Sequence, residues 1–369
     1  MRHVFLTLLF SASFQISTAQ TPKIDSLITQ ELSRLHIPGL AAAKVENGKV
    51  LWSRCYGYQD LEKKIPVNAQ TVFHVASISK TITAAAVMQL YSKGHFGLDD
   101  DVNRFLPFQV SNPLFPNVAI TFRQLLRHRS SIADNMDYLL PFWENQYQGA
   151  DIPLETFLRD YLSTDGRNYH GSKNFIGARP DTKFGYSNIG FALLGYLVER
   201  IAQMPFDKYC RLHLFNPLEM KESGWFLNGL PVNRLAVPYS YADSLRQFKR
   251  HPQSTFPDYP AGSLRCTVND LAKFLACWSN DGAFAGKNVL EASAVQSLTP
   301  KDMSLGFHTW FMYLFNTETP MYSHSGHGPG ISTYMLYDPF SKKGLIILMN
   351  GELSDYFEWR KLIDLLYKS

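Results

Sequence analysis

The chain has 369 residues, 45% hydrophobic and 18% charged, which is a globular composition rather than a disordered one. Its net charge of +4 is spread without long basic runs, so no electrostatic footprint for nucleic acid is present. The length allows one large domain or two closely packed lobes, either of which can bury a deep core.

In chain order, Arg2 and His3 precede an apolar run from Val4 to Phe10, and Ser17-Thr18-Ala19 supplies small residues. This pattern predicts a signal peptide over 1–19 and an exported protein, periplasmic or extracellular after cleavage. The apolar run is too short for a bilayer core of about 30 Å, and no later segment reads as a membrane span. Asp25 to Leu35 is an amphipathic helix. Leu40–Val45 and Val50–Cys55 are strands joined across Asn47-Gly48, a strong hairpin signal. From Ser77 to Val198 the pattern is largely helical. It includes a helix over Thr81–Tyr91 stopped by Gly94, and another over Asn188–Ala202 with Pro205 beyond it. Thr267 to Asp270 caps an apolar helix over Leu271–Trp278. Short apolar strands follow at Phe307–Phe315, Ser332–Tyr337 and Gly344–Met349, and a closing helix at Asp355–Tyr367.

Strands at both ends and helices between them predict an α/β chain of the α+β type. Its antiparallel five-stranded sheet is built from both termini and flanked by helices, and an all-helical lobe is inserted. The expected boundaries are a sheet lobe over about 20–76 and 266–369 and a helical lobe over about 77–265, with the site in the crevice between them. Cys55, Cys210, Cys266 and Cys277 show no C-x-x-C spacing and no disulfide framework. They read as small buried hydrophobes, although export leaves one oxidised pair open.

Three segments could carry chemistry. In Ser77-Ile-Ser-Lys80, three-residue spacing on a helix brings the Lys80 amine within reach of the Ser77 hydroxyl. A serine needs a base to become a nucleophile, and a lysine serves if burial and nearby cations lower its pKa. The helix N-terminus adds N–H groups and a favourable dipole. Alone, the tetrapeptide reads as a helix start with a solvated lysine. Tyr186-Ser-Asn188 offers a tyrosine for proton exchange and an asparagine for a substrate amide, or simply a helix entry capped by Asn188. His324-Ser325-Gly326-His327 precedes a strand, where glycine allows close backbone approach; a tight turn is the plain alternative. His324 and His327 lack the companions of a metal site, so neither metal nor cofactor is expected.

In the order S-x-x-K, Y-x-N, H-S-G, the chain resembles the serine β-lactamase and penicillin-binding protein superfamily, notably class C β-lactamases, D-alanyl-D-alanine carboxypeptidases and related esterases. The flanking stretches at Phe73–Thr81, Leu125–Ser131, Leu214–Met220 and Ala261–Phe274 resemble that superfamily too. The resemblance implies Ser77 as acylated nucleophile, Lys80 as its base and Tyr186 as proton shuttle. It also implies Asn188, His324, Ser325 and Gly326 as substrate-binding residues, and an oxyanion hole from the N–H groups of Ser77 and His327. His324 stands where many members carry lysine. A histidine with an ordinary pKa near 6.5 is mostly neutral at pH 7, which suits D-peptidases and esterases better than an efficient β-lactamase. The expected activity is hydrolysis of D-amino-acid peptides or related amides, peptidoglycan fragments included, by a monomer. Carboxylesterase, weak β-lactamase and a non-catalytic muropeptide or β-lactam binder are the alternatives.

Overall fold

The computed structural model describes residues 22–144, 152–298, 308–310 and 321–367. The proposed signal peptide lies outside these residues. The central sheet is antiparallel. Its strands are β1 (Gly39–Glu46), β2 (Lys49–Asp60), β3 (Ile65–Pro66), β4 (His308–Trp310), β5 (Met321–Gly328), β6 (Ile331–Asp338) and β7 (Lys343–Met349), in the order β4-β5-β6-β7-β1-β2-β3. Both chain ends therefore meet at the centre, where β1 pairs with β7 from Leu40↔Met349 to Glu46↔Lys343. The β1–β2 turn has Asn47 and Gly48 at φ +49° and +74°, as a tight two-residue hairpin requires.

The sheet has seven strands rather than the expected five. The additions are the short edge β3 and the long strand β5; β4 falls within the strand expected at Phe307–Phe315, of which residues 308–310 are described. Strand β5 has a weak pattern in the sequence. Its residues Ser323-His-Ser-Gly-His-Gly328 lack the β-branched alternation that marks a strand.

Period-two alternation sends successive side chains of each strand to opposite faces. Leu40, Ala42, Leu345, Ile347 and Met349 bury one face beneath helices α1 (Pro22–Arg34) and α5 (Tyr356–Tyr367), with Ile28, Leu32, Trp359 and Ile363 opposite them. Ala41, Ala43, Ile346 and Leu348 face the other way, into a larger core. That core includes α2 (Ser79–Ser92), α3 (Asn188–Ala202) and α4 (Val268–Ser279). Helix α4 lies across β1, β2 and β7, and α2 packs on α3.

Between α2 and α3 the chain is less helical than its composition suggests. Short helices at Phe122–Leu126, Met136–Glu144, Leu154–Leu162 and Gly171–Asn174 alternate with turns. Nor is the middle of the chain free of strands. Tyr239–Ala242 pairs with Gln247–Arg250 in a hairpin, and Val72–His74 pairs with Arg265–Thr267. The hairpin escaped the pattern reading because Gln247–Arg250 is exposed on both faces. All four cysteines are free thiols: Cys210, Cys266 and Cys277 are buried and Cys55 is half-buried. Burial pushes the Cys55 thiol up to about 11 and the Cys277 thiol up to about 12. No helix among the described residues is long and apolar enough to cross a membrane.

Candidate active site

Ser77 sits in a 3-10 turn, Ala76–Ile78, that runs straight into α2. The turn is strained: Ala76 has φ +47°, a left-handed conformation that side chains other than glycine rarely adopt. Its neighbours hold it there. Val75 N–H donates to Leu264 O at 3.0 Å. Ser79 Oγ donates to Ala76 O at 2.5 Å and accepts from Leu264 N–H at 3.0 Å. From the sheet, Thr333 Oγ1 donates to Val75 O at 2.9 Å. Gly326 on β5 lies against the same turn, and a Cβ there would meet Val75 O and Thr333 Oγ1, each at 2.4 Å. Close approach is what demands glycine at this position.

Lys80 lies one turn further on and is fully buried. Its Nζ is 3.1 Å from Ser77 Oγ, and it donates to Asn188 Oδ1 at 2.6 Å and Ala261 O at 2.7 Å. Asn188 Oδ1 and Ala261 O can only accept, so they take two of the amine's hydrogens. The third direction points at Ser77. In the neutral amine that direction holds the lone pair, which can receive the serine proton; in the ammonium it holds the proton to be returned. The arrangement is compatible with both halves of a proton transfer without moving the lysine.

Tyr186 is partly exposed, and its ring centroid lies 4.9 Å from Lys80 Nζ. Its ring stacks on His128, with centroids 4.4 Å apart. His128 Nδ1 accepts from Ser187 N–H at 3.1 Å, so its other ring nitrogen carries the proton in the neutral form. Helix α3 is capped by Ser187, whose Oγ accepts from Gly190 N–H, rather than by Asn188.

The turn is gripped by Asp134, which the pattern reading missed. Its carboxylate accepts from Ser187 Oγ (3.1 Å), Asn188 N–H (2.9 Å), Asn188 Nδ2 (2.8 Å) and Ile189 N–H (3.1 Å). An anion at a helix N-terminus satisfies otherwise orphaned donors. It also fixes the Asn188 amide so that Oδ1 faces Lys80. Asn188, expected to bind a substrate amide, therefore has its oxygen committed to the lysine. Arg129 departs from the resembled stretch and closes the preceding loop by donating to Asp181 O and Oδ1.

A cavity of about 430 Å³ opens on Ser77, lined among the described residues by Asn188, His74, Trp143, Asp258, His251 and His327, among others. His74 Nε2–H donates to Gly262 O at 2.7 Å, and burial beside Arg265 pushes its imidazole down to about 3, keeping it neutral. His324 is not in this lining. It is buried at 2% exposure, with Nδ1 2.8 Å from Ser325 O, so it presents no accessible cation to a substrate carboxylate. His327 and Gly328 stand at the cavity instead, and Ser325 and Gly326 do not line it. His324 and His327 are an odd number of residues apart on one strand and point to opposite faces, so they cannot share a metal. Besides Asp134, sequence reading missed His128, Asp258 and the Ala261 carbonyl. His128 and Ala261 lie within the resembled stretches Leu125–Ser131 and Ala261–Phe274, but Asp134 and Asp258 left no signal.

A serine at the start of a buried helix, a lysine one turn away and an antiparallel sheet formed from both termini define the serine β-lactamase and penicillin-binding class of proteins. The comparisons agree: the family model described as Beta-lactamase matches residues 24–368, and the chain belongs to that family of serine hydrolases. It is similar to Protein flp of Staphylococcus aureus (strain MRSA252), 25% identical over 330 residues, covering 89% of this chain and 62% of the relative. The chain thus spans less than two thirds of that protein's length. It is similar to penicillin-binding protein 4* of Bacillus subtilis (strain 168), 26% identical over 325 residues, covering 85% of this chain and 68% of the relative. In structure it is similar to an octameric penicillin-binding protein homologue from Pyrococcus abyssi, with TM-score 0.73 and 21% identity, covering 94% of this chain and 77% of that one.

Proposed function

We propose that the chain forms an acyl-enzyme on Ser77 and hydrolyses D-amino-acid peptides or related amides. The observation that carries this reading is the Lys80 amine, buried and held by Asn188 and Ala261 with its remaining direction on Ser77 Oγ. In this mechanism Lys80 takes the hydroxyl proton as Oγ attacks the carbonyl. The N–H groups of Ser77 and His327 receive the oxyanion, a role supported by the contact of β5 with the nucleophile turn. Tyr186, beside Lys80, passes a proton to the leaving amine and then activates the water that frees the enzyme. Asn188 orients the lysine, leaving substrate-amide contact as a secondary role.

A D-peptide substrate is supported by the likeness to a penicillin-binding protein, since β-lactams engage sites of this chemistry. The buried His324 offers no cation to a substrate carboxylate, which disfavours efficient β-lactam hydrolysis and favours amides without a free carboxylate. Export, directed by residues 1–19, would bring the enzyme to such substrates. The test incubates the protein with D-alanyl-D-alanine, p-nitrophenyl acetate and a fluorescent penicillin. D-alanine release that Ser77→Ala abolishes supports the reading. Turnover of the ester alone would replace it with a carboxylesterase, and turnover of none with a binding role.

A further inference from the structure

Asp258 is an anomaly in this cavity. It is only 4% exposed, yet it lines the same space as Ser77. Among the described residues its carboxylate has no ion pair, and its one side-chain hydrogen bond is a long one, 3.5 Å from Trp143 Nε1. A buried carboxylate in that state carries an unrecovered desolvation cost. Such groups persist where a ligand completes them. Asp134 spends its charge on four donors of the α3 entry; Asp258 has only its own backbone N–H, the long Trp143 contact and the more distant Lys80 charge. Burial, reinforced by the Asp134 charge and opposed by Lys80, pushes Asp258 up to about 6, so above that pH it is an anion.

The surroundings specify the missing partner. Trp143 and Phe256 line the cavity beside Asp258, and aromatic rings around a carboxylate suit an organic ammonium better than a hydrated metal ion. Asp258 is the one formally anionic lining residue among those described, and Lys249 is a cation in the same lining. The volume of about 430 Å³ accommodates a small acyl residue and its leaving group together.

We propose that Asp258, with Trp143, forms a subsite for the protonated amine of the acyl residue transferred to Ser77, making the preferred substrates amides or esters of amino acids with a free α-ammonium group. This rests on the acyl-enzyme reading above and narrows its substrate. Ser77 Oγ forms the ester with the aminoacyl carbonyl, the bond to the leaving amine or alcohol breaks with a proton delivered to it, and the ammonium remains paired with Asp258 throughout.

The experiment compares D-alanine p-nitrophenyl ester with its N-acetyl counterpart on the full chain, wild type and Asp258→Asn, scoring the ratio of their kcat/KM values. Losing one partner of a buried charge pair predicts that the preference for the free amine falls roughly 30-fold in Asp258→Asn. A ratio unchanged by the substitution overturns the proposal. A second measurement needs no variant. D-alaninol must inhibit wild-type hydrolysis of p-nitrophenyl acetate at concentrations at least about tenfold below those of N-acetyl-D-alaninol, and equal inhibition overturns the proposal equally. Reaction of Ser77 with p-nitrophenyl acetate reports separately on the underlying reading. If Ser77 is never acylated, that reading fails and this one with it; if Ser77 is acylated but amines are not preferred, only the ammonium subsite is refuted.

Discussion

Gly326→Ala probes the link between the sheet and the nucleophile without altering Ser77, Lys80 or Tyr186. The added methyl would lie 2.4 Å from Val75 O and from Thr333 Oγ1, and 3.1 Å from Ala76 Cβ. Ordinary contact begins about 1 Å further out. Thr333 can rotate away only by giving up its bond to Val75 O. The backbone carbonyl cannot yield unless the Ala76–Ile78 turn moves. The expected result is a turn pushed about 1 Å from β5, at an overpacking cost of about 1–3 kcal/mol. A displacement of that size at a nucleophile costs on the order of 100-fold in rate. The assay is the second-order rate of Ser77 labelling by a fluorophosphonate probe, which requires no knowledge of the substrate, with circular dichroism and thermal melting as controls on the fold. A folded Gly326→Ala protein that labels within threefold of wild type would refute the claim that β5 positions Ser77.

Further predictions concern the groups around the serine. Lys80→Ala should slow Ser77 labelling by about 10²- to 10⁴-fold, the span of general-base catalysis, and a rate near wild type would contradict its role. Asp134→Ala leaves four donors at the α3 entry without their acceptor, so urea denaturation should show a loss of about 2–4 kcal/mol together with slower labelling, because Asn188 no longer holds its oxygen toward Lys80. His128→Phe keeps a ring under Tyr186 but strands the Ser187 N–H, which predicts a smaller loss, about 1–2 kcal/mol by the same measurement. Asp258 makes stability depend on pH in a defined direction. Its folded pKa is raised to about 6 from 3.8, so the native state binds more protons than the unfolded state between those values. Stability contributed by the protonated form is present in acid and is lost as pH rises through about 6. Asp134 and Lys80 are the charged groups that act on it, the first raising and the second lowering its pKa. Wild type should therefore lose on the order of 3 kcal/mol relative to Asp258→Asn between pH 4 and pH 7, and parallel profiles would contradict the burial of its charge.

Local signals predicted the frame of the fold well. Asn47-Gly48 located the hairpin because only a few residues accept two successive positive φ angles. The helix Asn188–Ala202 was bounded correctly by its capping region and by Pro205. Where segments serve the site, the same signals fail. Strand β5 trades β-branched residues for serine, histidine and glycine, so its pattern left a tight turn open, and His324 read as an accessible site residue although it is buried. The Lys80 environment was half legible. Its spacing from Ser77 follows from helix geometry, but its third partner is the backbone carbonyl of Ala261, which has no side-chain signature. Asp134 and Asp258 lie 54 and 181 residues from Asn188 and Ser77 in the chain and acquire meaning only when the fold brings them to α3 and the cavity.

The central claim is that one hydroxyl, Ser77 Oγ, carries the acyl group. Intact-protein mass spectrometry after brief mixing with a p-nitrophenyl ester, followed by peptide mapping, tests it most directly. The account predicts a single acyl adduct on the Ser77 peptide that decays with turnover and is absent from Ser77→Ala; an adduct on another residue, or undiminished hydrolysis by Ser77→Ala, would contradict it.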